Sequence, residues 1–255
     1  MKKEIIDTKT YRHSFSSVNK FSKNPSAWLC HYALGIKTPV NAFMTRGTLA
    51  EKGAYWLIKR ESKMLSIENY EKNIKRLFEK SKFLNAEKEI ENAIGCGRQF
   101  MKALYDRQLR KVVSYQKEKR TDLTEYGLKY KILTFTDFEF DNVIIDTKSK
   151  MRLIQPYPHE IRQQCLYSKV YGKPTALLIA TPKKYAFHEI LPSDVEPNFQ
   201  HLLTQLKALE NFIDMCDNDI TKAIKNTSLN TDDFYWNDNT KMEANKVWQQ
   251  IIKSN

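Results

Sequence analysis

Glycine is scarce in this chain, seven in 255 residues, and cysteine is scarcer still at four. No Gly-Lys-Ser/Thr run follows Gly95 and Gly97, so this pair is not a phosphate loop and marks a helix kink or a close packing contact. Cys30, Cys96, Cys165 and Cys216 stand far apart with no Cys-x-x-Cys pair. That pattern argues against a disulfide framework or a zinc site and predicts reduced, mostly buried thiols. Long apolar runs are also missing. Nothing approaches the roughly 18 residues needed to cross a bilayer, and the opening "MKKEIIDTKTYRHSFSS" has no apolar core of a secretion signal. The expectation is a cytoplasmic protein with no membrane contact, residing in a host's cytoplasm if the chain is phage-encoded. Among the five histidines, His159 begins His-Glu-x-x-His without completing it, and neither His159 nor His188 has a partner at metal-ligand spacing.

What is abundant is positive charge. Forty-two Lys and Arg against 30 Asp and Glu leave a net charge of +12, a surplus that favours polyanionic partners such as nucleic acid through counterion release. The same surplus serves solubility, so charge alone does not choose between the two. The 41% apolar content is enough for a packed core, and no linker or repeat divides the chain. One domain over 1–255 is expected, with a mostly helical part at 16–111, an α/β core at 112–190 and a helical extension at 191–255.

Apolar residues recur at helical spacing from Ser16 to about Lys119, with Ser16 and Pro25 suited to helix starts and one helix over Phe43 to Arg60. "SIENYEKNIKRLFEKSKFL" and "NAEKEIENAIGCGRQFMKALYDRQLRKVV" predict two more. Then β-branched and aromatic residues take over, and "KVVSYQKEKRTDL", "YGLKYKILTFTDFEF" and "NVIIDTKSK" predict three strands. A helix in "YPHEIRQQCLYSKVYG" ends at Gly172. "PTALLIATP" and "KYAFHEIL" follow as a strand pair, then a helix from about Glu196 to Lys225 and a C-terminal loop with a short docking helix. In "DDFYWND", residues 232–238, a packed tail is expected, with a partner contact as the alternative.

"FTDFEFDNVIIDTKSK" contains two aspartates in otherwise strand-forming sequence. With the hairpin turn at Asp141-Asn142, Phe140 faces Val143, Phe138 faces Ile145, and Asp137 lies across from Asp146. Alternation then puts Phe138, Phe140, Val143 and Ile145 on one face and Asp137, Asp146 and Lys148 on the other. Opposed like charges are destabilising. A divalent cation between them, Mg²⁺ or Mn²⁺, converts repulsion into coordination, and Lys148 beside it could hold a phosphate oxygen. A hairpin with a solvated polar outer face uses the same residues without chemistry.

Asp137, the apolar strand after it, and Asp146-Thr147-Lys148 resemble the signature of the PD-(D/E)XK nuclease superfamily. Gln163 and Tyr167 resemble the QxxxY motif of its RecB-like exonuclease branch. Upstream, "SFSSVNKFSKNPSAWLCHYALG" and "MTRGTLAEKGAYW" are similar to that branch's opening, the likeness covering about residues 14–190. It implies an α/β fold with a restriction-endonuclease-like core, a mixed central sheet flanked by helices, and an enlarged N-terminal helical part. It also implies a metal-dependent DNA nuclease, most simply an exonuclease working from DNA ends in recombination, repair or replication. A structure-specific DNA endonuclease, or a non-catalytic nucleic-acid-binding module on the same fold, stands as the alternative.

By that resemblance Asp137 and Asp146 bind metal and Lys148 stabilises charge on the phosphate. Glu51, where the branch usually carries His, is a further ligand or base, against a plain solvent-facing helix position. Gln163, Tyr167 and Arg46 contact the nucleic acid; the alternatives are a plain amphipathic helix for Gln163 and a partly buried core tyrosine for Tyr167. Thr134 replaces a glycine common in the branch. Some relatives carry an iron-sulfur cluster, but the C-terminal cysteine trio is missing here, so none is expected.

Overall fold

The computed structural model describes residues 4–59, 67–80, 86–109, 111–233 and 236–253. Arg60, parts of the stretch around 60–85, and Phe234 and Tyr235 of the acidic aromatic tail lie outside the described residues. In chain order the elements begin with β1 (His13–Ser14), α1 (Phe15–Lys23), α2 (Pro25–Trp28), a single π turn (Leu29–Ala33), α3 (Ala42–Lys59), α4 (Ile67–Lys80) and α5 (Glu87–Asp106). The middle of the chain holds β2 (Ser114–Thr121), a 3₁₀ turn (Thr124–Tyr126), β3 (Ile132–Glu139), β4 (Ile144–Ser149), α6 (Pro158–Tyr171), β5 (Thr175–Ala180) and β6 (Tyr185–Glu189). Helices α7 (Pro192–Met215), α8 (Ile220–Lys225) and α9 (Asp238–Lys253) close it.

This is an α/β fold with a six-stranded mixed sheet in the order β1-β3-β4-β5-β6, with β2 paired to β3, and with helices flanking it. β4 and β5 run parallel, joined by α6, while β3–β4 and β5–β6 are antiparallel hairpins. The chain gathers into two compact units: Met1–Pro39 with Lys119–Thr134 and Gln200–Asn255, and Val40–Glu118 with Phe135–Phe199. The expected succession 16–111, 112–190, 191–255 does not follow these lines. β2 and β3 each pass from one unit into the other, and no local compositional signal marks such an exchange.

In the first unit, Ser14 rather than Ser16 caps α1, its hydroxyl accepting from the Ser17 backbone N–H. Buried His13 meets Glu210 at 2.8 Å, and Glu210 also accepts the backbone N–H groups of Lys129 and Tyr130. The helix expected over 196–225 is two helices. Asp217 and Asn218 take left-handed backbone conformations after Met215, and the Asp219 side chain then caps α8. Short polar side chains tolerate that conformation better than the apolar residues around them.

In the second unit α3 and α5 cover one face of the sheet. Ala50, Ala54 and Ile58 pack with Cys96, Phe100 and Leu104 onto Phe138, Phe140, Ile145, Ala176 and Leu178. Each of the buried Leu, Ile and Phe side chains contributes about 1.5–3 kcal/mol. α5 runs unbroken through Gly95 and Gly97, so close packing is the correct reading of that pair. A Cβ at Gly97, or at Gly53 on α3, would strike the buried Tyr70 side chain. α6 packs beside β5 and ends at Gly172, whose φ of 64° suits a residue without a Cβ. No helix among the described residues is long and apolar enough to cross a membrane.

Candidate active site

The hairpin has the register read from the sequence. Phe138 pairs with Ile145, Glu139 with Ile144, and the Phe140 N–H bonds to the Val143 carbonyl across the exposed Asp141-Asn142 turn. Beyond Phe138 and Ile145 the pairing stops. There the Thr147 backbone N–H, which an unbroken ladder would give to a backbone carbonyl, goes to Asp137 Oδ2 at 2.8 Å. The Thr147 hydroxyl donates to the same oxygen at 3.0 Å. The strands part at Asp137, and its carboxylate fills the fork.

Asp146, on the other side of the fork, is only 2% exposed. A solvated outer face is therefore not what this hairpin carries. Lys148 makes an ion pair with Asp146 Oδ2, its ammonium set directly against this buried oxygen. Burial alone would depress the Lys148 ammonium; Asp146 and Asp137 outweigh it and hold the group above the ordinary lysine range.

α3 brings Glu51 to the same place. Gln116 Nε2 on β2 donates to Glu51 Oε1 at 2.5 Å and to Asp137 Oδ1 at 3.4 Å, so one amide bridges two carboxylates. The Tyr115 hydroxyl also bonds to Glu51, and its ring stacks on Tyr55 at 4.0 Å. Burial, then repulsion from Asp146 and Glu51, pushes Asp137 well above the usual carboxylate range. Burial raises Glu51 too, against the hydrogen bonds from Gln116 and Tyr115. Three acids face one ammonium, and Gln116 and Lys148 relieve only part of the excess.

Gln116 and Thr147 are the residues that sequence reasoning missed. Gln116 has a φ of 51° inside a strand. That left-handed backbone is strained for a non-glycine residue, and strain of this kind gathers at functional sites. Nothing in "SYQKEKRT" announces it. Thr147 was in plain view between Asp146 and Lys148, but its role depends on where the ladder breaks.

The residues assigned to nucleic acid fare unequally. Gln163 is partly exposed and donates to the Tyr167 hydroxyl at 2.8 Å. Tyr167 itself is only 3% exposed, with its hydroxyl raised by burial and by nearby Asp146. It positions Gln163 and is too enclosed to be a contact surface. Arg46 requires correction. It is 7% exposed, with Nε on Ser149 Oγ at 2.9 Å and Nη1 on Glu89 at 2.7 Å. Its guanidinium is spent on tying α3 to α5 and to the end of β4, so it is not open to a phosphate.

All four cysteines are buried free thiols, and burial raises Cys165 to about 11, far from the reactive thiolate range. A cavity of about 410 Å³ lined by Arg107, Val143, Phe187 and Leu191 opens at the turn end of the hairpin, away from the acids. The acidic cluster does not line this pocket.

As donors for a cation the acids present hard carboxylate oxygens in excess over the one ammonium that faces them, which suits Mg²⁺ or Mn²⁺. Among the described residues no three His, Cys, Asp or Glu side chains converge as a ready-made cage.

No protein-family model and no curated protein matches the chain. A solved structure titled "Crystal structure of SSO0001" aligns at 18% identity over 72% of this chain and 96% of its own, with a TM-score of 0.34. A likeness that low bears on neither site nor activity.

Proposed function

We propose that this chain is a Mg²⁺- or Mn²⁺-dependent deoxyribonuclease of the PD-(D/E)XK type, built on a restriction-endonuclease-like core and acting as an exonuclease on DNA ends. One observation carries the reading: the sheet splits where Asp137 and Asp146 oppose one another, with Lys148 beside Asp146 and Glu51 brought in from α3. An ordinary hairpin gains nothing from burying that many like charges. Asp137, Asp146 and Glu51 would hold the ion, with Glu51 also able to serve as a base. When bound, the ion supplies charge neutralisation on the phosphate and a more acidic attacking water.

The chain's own groups do the rest. Lys148, kept protonated by its aspartate neighbours, presents a fixed positive charge toward charge developing on phosphate oxygen. Gln163, fixed by Tyr167, offers amide contacts to the strand. The exonuclease preference and the assignment to DNA rest on the sequence resemblance and the basic charge.

Asp146→Asn decides the matter on end-labelled linear DNA and on closed circles. Metal-dependent cleavage should fall by several orders of magnitude while binding persists, and EDTA should abolish wild-type cutting. Undiminished cleavage by the variant would refute the assignment. Cutting of closed circles would move the activity to the endonuclease class. The lack of a preassembled three-ligand cage among the described residues favours a second reading, a non-catalytic binding module. Binding without cleavage in Mg²⁺, Mn²⁺ and EDTA alike would select it.

A further inference from the structure

β2 departs from strand geometry at Gln116. Neighbouring side chains along a strand point to opposite faces, so Tyr115 and Gln116 should not meet the same partner. Both bond to Glu51, the tyrosine through its hydroxyl and the glutamine through its amide, because a φ of 51° at Gln116 breaks the alternation. A left-handed backbone at a non-glycine residue costs free energy. Here it delivers an amide to a group of acids.

The oxygens that the amide meets are the ones a cation would need. Asp137 Oδ2 already accepts the Thr147 N–H and hydroxyl, which leaves Oδ1 to face an ion. That Oδ1, at 3.4 Å, and Glu51 Oε1, at 2.5 Å, share Gln116 Nε2. A divalent ion held by the same two oxygens at about 2.0–2.1 Å from each has to take the place of Nε2. Facing two acceptors, the amide presents its N–H side, which repels a cation and cannot ligate one. The Gln116 side chain is otherwise exposed, so its amide can exchange the carboxylates for water.

We propose that the Gln116 amide is a built-in stand-in for the divalent ion, holding Glu51 and Asp137 together in the metal-free protein and swinging out when an ion binds. This deepens the metal-site reading and rests on it. Gln116 is then a positioning residue that sets metal affinity by competition, with no contact to substrate or to reacting atoms.

The test is calorimetric titration of Mn²⁺ into the full chain at pH 8. Wild type is compared with Gln116→Ala, which removes the donors at an unchanged backbone demand, and with Gln116→Gly, which removes the left-handed cost as well and keeps the test open if the alanine variant folds poorly. With no amide to displace, both variants should bind Mn²⁺ about tenfold more tightly, equivalent to about 1.4 kcal/mol. In EDTA, Gln116→Ala should melt below wild type. In ¹⁵N-edited NMR spectra of wild type, the side-chain amide pair that is missing from Gln116→Ala should move toward its free-solvent position as Mg²⁺ is added. Unchanged or weaker Mn²⁺ binding by the variants overturns the stand-in, because a merely structural glutamine would lower stability without tightening the metal. An amide pair that holds its position at saturating Mg²⁺ overturns it too. If neither wild type nor the variants take up Mn²⁺, the metal-site reading itself falls, an outcome distinct from failure of the stand-in alone.

Discussion

Asp137→Asn removes a charge from the acidic cluster while keeping the Thr147 contacts, because an asparagine oxygen can still accept from the Thr147 N–H and hydroxyl; the long contact from Gln116 Nε2 to Oδ1 is given up. Asp146 and Glu51 both repel the Asp137 charge, and a pair of like charges about 5–6 Å apart at an effective dielectric constant near 20 repels by about 3 kcal/mol. Lys148 offsets part of this. The metal-free variant should therefore be more stable than wild type at pH 8 by about 1–2 kcal/mol, or about 3–6 °C in Tm for a chain of this size. The sign follows from linkage. Burial, Asp146 and Glu51 raise the folded-state value of Asp137, so the folded protein holds that proton more tightly than the unfolded chain. Its stability is full below the unfolded value near 4 and declines as pH rises through the raised one. The advantage of the variant should thus shrink toward zero by pH 4. Mg²⁺ should raise the Tm of wild type at pH 8 and leave Asp137→Asn nearly unmoved. Circular-dichroism melts in EDTA and in Mg²⁺ at the two pH values measure all of this. A variant less stable than wild type at pH 8 in EDTA would refute the reasoning and make Asp137 a purely structural cap for Thr147.

Two other substitutions separate positioning from contact. Arg46→Ala should destabilise the fold by about 2–4 kcal/mol by leaving Glu89 and Ser149 without their partner; full stability in chemical denaturation, with weaker DNA binding, would restore Arg46 as a phosphate contact. Tyr167→Phe removes the acceptor for Gln163 at a cost of about 1 kcal/mol. Steady-state cleavage should show a raised KM and little change in kcat, and the reverse split would place Tyr167 in the chemistry.

The hairpin was legible because its two strands are adjacent in sequence and joined by a turn of known geometry. Period-two alternation then fixes which residues oppose, and Phe138 and Ile145 pair as expected. The helix between β4 and β5 was legible from Pro158 and Gly172. Glu51 could be nominated only by resemblance, since α3 meets the hairpin across some ninety residues of chain. Arg46 was misread because a basic residue before a glycine looks the same whether it faces solvent or a buried Glu89. Gln116 could not be found at all, because its role depends on a left-handed backbone inside a strand. The break between α7 and α8 was hidden by continuing helical periodicity, which short polar residues interrupt without proline or glycine.

The central claim, that Asp137, Asp146 and Glu51 are held together to bind a divalent cation, is tested most directly by anomalous diffraction from crystals grown with Mn²⁺. A peak bridging Asp137 and Asp146 is expected, with Lys148 turned off Asp146 Oδ2. Carboxylates that keep their contacts to Thr147, Gln116 and Lys148 with no anomalous density between them would contradict it.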